Sequence, residues 1–138
     1  MIVEIEWTCL DHDEDERWDS DLCLYAYLHP ERDKLLYVGK ADYATVRERL
    51  RGADKERLFA DIQDEYDVDE VRVLRGEIRL DECRRRSSEL LADIESLLII
   101  RLQPFGNIQS TQTRIQRPGL RVTCTGDWPL ARSRFRDR

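Results

Sequence analysis

A chain of 138 residues has room for one domain around one core of two packed layers, which excludes a multidomain machine. Apolar residues at 41%, with three Trp, five Tyr and three Phe, fit a folded globule, while 38% charged residues implies a heavily hydrated surface. No run reaches the ~20 apolar residues of a membrane helix, and the N-terminus lacks the basic, apolar, small-residue order of a signal peptide, so a cytoplasmic protein without a membrane partner is expected.

In chain order, "IVEIEWTCL" alternates apolar and acidic residues, the period-2 pattern of a half-buried strand over about 2–9. The acidic run 11–21, "DHDEDERWDSD", cannot bury anything and reads as a solvated loop; it lacks the glycine and terminal glutamate spacing of a calcium loop. Strands over about 22–28 and 34–39 flank "HPERDK", where Pro30 and the charges favour a reversal, so the pair reads as an antiparallel hairpin. From Thr45 the spacing turns helical, with a break at Gly52, giving helices near 44–51 and 54–65. "EVRVLRGEI" alternates again and predicts a strand over about 70–78. Leu90, Leu91, Ile94, Leu97, Leu98 and Leu102 then form one stripe of a long helix over about 81–102, ended by Pro104 and Gly106. A short strand over 120–124 follows, and the Arg-rich tail beyond Pro129 is expected to fray. The fold class is therefore α+β, a small mainly antiparallel sheet flanked by helices, in one domain over 1–138.

Cys9, Cys23, Cys83 and Cys124 are too scattered for a zinc knuckle or a disulfide framework and read as reduced, mostly buried thiols. The net charge of −6 argues at first against a nucleic-acid partner, but the charge is unevenly spread. From Arg101 onward eight arginines face two acids, Asp127 and Asp137, so residues 109–138 form an Arg-rich extension in which Arg114 and Arg117 are candidate contacts to a nucleic-acid backbone. "RRR" at 84–86 opens the long helix against its dipole, which hints at a phosphate contact.

One residue stands out on that helix. Glu95 has Leu91 at i−4, Leu98 at i+3 and Leu102 at i+7, so its carboxylate borders the apolar stripe, a costly place unless a cation, a metal or hydrogen bonds meet it. A buried ion pair with an arginine such as Arg49 would satisfy it, and Tyr25 and Tyr37 could be mere strand packing. Taken together with Gly39, Lys40 and Asn107, these residues also fit around one phosphate.

Their order resembles the GIY-YIG nuclease family. "CLY" (23–25) stands where that family has its first tripeptide, with Cys23 in place of glycine, and "YVG" (37–39) is a conservative form of the second. "VRERLRG" resembles the arginine helix and "ESLLIIRLQPFGN" (95–107) the glutamate helix with the asparagine beyond it; "YVGKA" is also similar to the nuclease domain of bacterial excision-repair incision proteins. The resemblance covers about 22–108, and it implies a divalent-metal-dependent endonuclease that hydrolyses DNA phosphodiester bonds. Glu95 would hold one divalent cation, Mg²⁺ or Mn²⁺, on the scissile phosphate and help the 3′-oxygen depart. Tyr25 or Tyr37 would take the proton of the attacking water, a task for which a phenol needs nearby cations such as Lys40 and Arg49. Arg49 would neutralise the phosphate oxygens. Counting from Tyr37 selects Arg47 instead, whereas the helix pattern selects Arg49. Gly39 and Arg47 are further substrate-contact candidates, and Asn107 would position the loop or a backbone phosphate. The alternative is an inactive module of the same fold that binds nucleic acid or a protein partner, and a protein partner or a homodimer is compatible with either.

Overall fold

The computed structural model describes residues 1–10, 15–19, 21–80, 86–107, 115 and 119–137. Six strands, β1 (Ile2–Cys9), β2 (Cys23–Leu28), β3 (Leu35–Ala41), β4 (Arg72–Arg79), β5 (Arg121–Gly126) and β6 (Arg134–Arg136), form one sheet in the order β3-β2-β4-β1-β5-β6. Three helices, α1 (Val46–Arg49), α2 (Ala53–Tyr66) and α3 (Ser88–Leu102), complete an α+β fold. The sheet is mixed: β1 pairs parallel with β5, and the other four neighbouring pairs are antiparallel.

The period-2 patterns set which face each side chain takes. Val3, Ile5 and Trp7 of β1, Leu24 and Ala26 of β2, and Leu74 and Ile78 of β4 meet Leu91, Ile94, Leu97 and Leu98 of α3 in the larger core. Each of those four α3 side chains is fully buried, worth about 1.5–3 kcal/mol apiece. The opposite face, with Cys23, Tyr25, Tyr27 and Val73, is covered by Val46 of α1 and Ile62 of α2. Burial pushes the Cys124 thiol up to about 12 and raises that of Cys23, so neither is a nucleophile at neutral pH.

Three sequence expectations change. The long helix starts at Ser88, where the Ser87 side chain accepts from the Leu90 amide, so Arg86 precedes the cap instead of standing in the first turn; Arg84 and Arg85 lie outside the described residues. The acidic stretch contains a 3-10 turn over Glu16–Asp19, around Trp18. The tail expected to fray instead adds β6 to the sheet and buries Phe135 in the larger core. Among the described residues, no helix is long and apolar enough to cross a membrane.

Candidate active site

The β2–β3 hairpin sets the site. Its register places Tyr25 opposite Gly39 and Tyr27 opposite Tyr37, so three phenol rings stack on one face, with centroids 6.0 Å apart for Tyr25 and Tyr37 and 5.5 Å for Tyr27 and Tyr37. Gly39 is required by that stack. A Cβ at residue 39 would lie 2.6 Å from Tyr25 Cζ and 2.9 Å from Tyr37 Cε2, far inside van der Waals contact.

Tyr25 and Tyr37 are not equivalent. Tyr25 is buried, and desolvation, together with its neighbours Tyr37 and Glu95, holds its hydroxyl far above the ordinary phenol range. Tyr37 is half-buried and its hydroxyl oxygen accepts a hydrogen bond from Lys55 Nζ at 3.1 Å. The same ammonium lies 4.8 Å from the Tyr37 ring centroid and 5.9 Å from that of Tyr25. A cleft of about 390 Å³ opens beside this pair, with Tyr37, Asp54, Lys55, Arg57, Asp61 and Gly106 among its lining residues.

β3 is an edge strand, and two residues from after the hairpin close its outer rim. Asn107, buried in the turn Phe105–Asn107, accepts from the Val38 amide at 2.8 Å and donates to the Val38 carbonyl at 2.9 Å. Two residues along, the Lys40 amide points to the same rim and meets Glu95. The Glu95 carboxyl is raised above the ordinary range by burial, against the pull of Lys40, Lys55, Arg49 and the Lys40 amide. The carboxylate therefore lies in the field of three cations, and among the described residues none of them comes within ion-pair distance of it.

The two candidate arginines diverge. Thr45 and Glu48 build a capping box that starts α1, and the helix projects Arg47 and Arg49 in different directions. Arg47 Nε meets Asp19 at 3.1 Å and its guanidinium lies 5.8 Å from the Trp18 ring centroid, so it braces the 3-10 turn. Arg49 Nη2 donates to the Asp42 carbonyl at 2.5 Å, and its charge acts on Glu95. Asp42 in turn accepts from Ser88 Oγ at 3.1 Å, which ties the loop after β3 to the start of α3.

The structure thus brings Tyr25, Tyr37, Gly39, Lys40, Arg49, Glu95 and Asn107 together around the rim of β3, and turns Arg47 toward Asp19. Arg114 and Arg117 lie outside the described residues. Lys55 is the member that sequence reasoning missed. Its signal was present: it lies at i−3 to Leu58 and i−7 to Ile62, a lysine on the apolar stripe of α2.

Comparison of the chain with protein-family models, with curated proteins and with solved structures finds no match.

Proposed function

We propose that this chain is an endonuclease of the GIY-YIG type, which hydrolyses DNA phosphodiester bonds with the help of one divalent cation. The observation that carries this reading is the pair of packed phenols with Lys55 bonded to one of them, beside a half-buried Glu95 carboxylate that lies in the field of Lys40, Lys55 and Arg49 at one sheet edge. A structural ion pair would need one cation, not three. Clustered cations beside a proton acceptor instead suit an anion that gains charge as it reacts.

Whether these residues suit a metal is decided by the donor set. Among the described residues, no group of three or more His, Cys, Asp or Glu could cage an ion. Mg²⁺ does not need such a cage: it binds through one or two carboxylates, substrate phosphate and retained waters, which Glu95 and a phosphodiester would supply. A cation held there would withdraw charge from the scissile phosphate and ease departure of the 3′-oxygen.

The chain's own groups divide the remaining work. As the phenolate, Tyr37 takes the proton of the attacking water and becomes the neutral phenol; the Lys55 ammonium, which donates to its oxygen, and the buried Tyr25 hydroxyl beside it face the charge that the phenolate carries before the transfer. Tyr25, held protonated by burial, serves as a hydrogen-bond donor and not as the base. Arg49, fixed by the Asp42 carbonyl, presents its planar fork to the non-bridging phosphate oxygens, and Lys40 adds charge from the rim. Water oxygen bonds to phosphorus as the bond to the 3′-oxygen breaks, leaving a 5′-phosphate and a 3′-hydroxyl.

The test is nicking of supercoiled plasmid in Mg²⁺ or Mn²⁺ by wild type, Glu95→Ala and Tyr37→Phe at equal concentration. Metal-dependent nicking lost in both variants is the expected result. Wild type inert on supercoiled, single-stranded and branched DNA would replace this reading with a non-cutting module of the same fold.

A further inference from the structure

At the far edge of the sheet from the tyrosines lies a second polar surface. β5 and β6 pair so that Arg121 stands directly opposite Arg136, and Arg134 opposite Thr123, all on the sheet face that bears the tyrosines. Like charges placed opposite one another on paired strands repel, so this arrangement weakens the sheet unless an anion lies between them. Among the described residues, none of Arg121, Arg132, Arg134 and Arg136 comes within ion-pair distance of a carboxylate. All four are exposed. Together with Thr123, they line a groove of about 520 Å³.

The platform is held firmly. Arg101 of α3 donates through Nε to the Arg136 carbonyl at 3.0 Å and through Nη2 to the Asp137 carbonyl at 2.5 Å, and Phe135 anchors β6 in the core. The Arg132 guanidinium lies 4.9 Å from the Phe135 ring centroid.

We propose that this groove is a docking site for the phosphate backbone of double-stranded DNA, separate from the cleavage centre. The choice of DNA as the anion rests on the nuclease reading above. Four always-charged guanidiniums lining one groove fit a repeating phosphate chain better than one small anion, because each fork takes its own phosphate oxygens. Distance favours a long ligand too. Five interstrand spacings of about 4.8 Å separate β6 from β3, roughly 24 Å along the sheet, which a duplex rising about 3.4 Å per base pair spans in about seven pairs. The groove thereby anchors duplex well away from the cut phosphate, and an acidic chain acquires a cationic handle.

The experiment is fluorescence anisotropy of a labelled duplex of about 25 base pairs, titrated at several salt concentrations in a chelator, so that binding is read without cleavage. Wild type is compared with the double variant Arg121→Gln/Arg136→Gln, with Arg134→Gln, and with a control, Arg32→Gln/Lys34→Gln, that loses the same charge at the hairpin tip. The expected result is about tenfold weaker binding by the double variant, with the slope of log K against log salt reduced by about 2, and about half that slope change for Arg134→Gln. Thermal melting should place the double variant at or above wild type, since a repulsion is removed. Equal affinity and slope in the double variant and the control, or no duplex binding by wild type, would overturn the proposal. An intact salt slope in a wild type that never nicks would end the nuclease reading alone, and nicking with an unchanged slope in the double variant would end this one alone.

Discussion

Asn107 and Val38, far apart in sequence, form a reciprocal pair: one side-chain amide takes both the N–H and the C=O of a single edge-strand residue, at 2.8 and 2.9 Å. The amide does for β3 what a further strand would do, and does it two residues from the Lys40 amide that meets Glu95. Asn107→Ala leaves both Val38 groups buried and unpaired, at roughly 1–3 kcal/mol each. Urea unfolding should show a loss of about 2–6 kcal/mol for the two groups together, with cleavage falling alongside. A variant as stable as wild type would mean that the turn does not secure the edge.

Glu95→Gln should separate activity from stability. Burial raises this carboxyl against the pull of three cations, so the folded state holds its proton more tightly than the unfolded chain does. The associated stability is present below the ordinary glutamate range and is lost as pH rises through the raised value. Glutamine removes the cost of ionising this buried carboxyl. Melting temperatures should favour Glu95→Gln at pH 7, with the gap closing as the pH falls toward 4, while nicking drops at least about 10³-fold.

Lys55→Met addresses the proton acceptor. The ammonium donates to the Tyr37 hydroxyl oxygen and also pulls the Glu95 carboxyl down. Without it, the Glu95 carboxyl gives up its proton less readily and the Tyr37 oxygen loses its donor, so the pH–rate profile should move to higher pH, with a loss of about 10²–10³-fold at neutrality. Tyr37→Phe should lose the basic function at all pH values while duplex binding stays intact. An unshifted profile in Lys55→Met would remove the lysine from the mechanism.

Gly39→Ala should be costly although alanine suits strands no worse than glycine. The added methyl meets Tyr25 Cζ at 2.6 Å and the Tyr25 hydroxyl at 2.7 Å. Displacing a buried ring costs about 1–3 kcal/mol, and it moves the phenol that partners Tyr37. Denaturant midpoints and nicking rates should fall together.

The arginines of α1 should respond in opposite ways. Arg49→Lys keeps a charge but not the planar fork, and should lower cleavage by about 10²-fold or more. Arg47→Gln breaks an exposed pair with Asp19, whose side chains are 33% and 63% exposed, and should cost under about 1 kcal/mol with cleavage near wild type. Loss of cleavage in Arg47→Gln instead would reverse the assignment of the two.

Alternation made β1 and β4 legible, since one-sided burial prints a period of two; β2 and β3, buried almost throughout, were legible as apolar runs around "HPERDK", and the leucine stripe made α3 legible at a helical period. The hairpin and the glutamate helix together nominated most of the residues that meet at the β3 rim. What stayed hidden was long-range. The sequence ranked Arg49 over Arg47 from the helix pattern but could not see Asp19 and Trp18 waiting for Arg47. Lys55 was not singled out, because only the packed α2 shows that its stripe faces a phenol oxygen. β6 was invisible for another reason: three residues, "RFR", are too short for a period, and their strand exists only because β5 lies beside them.

The parallel pairing of β1 with β5 couples residues 2–7 to residues 121–126, so β1 waits on a strand synthesised long after it. Contacts of that sequence separation raise contact order and slow folding, because a long loop must close before the pairing returns any free energy. Until then the outer flank of β1 is an unpaired template, and a nascent chain is vulnerable to aggregation there. The same delay has a protective side, for the arginines of β5 and β6 cannot line up on the sheet before β1, β4 and the hairpin have something to align them with.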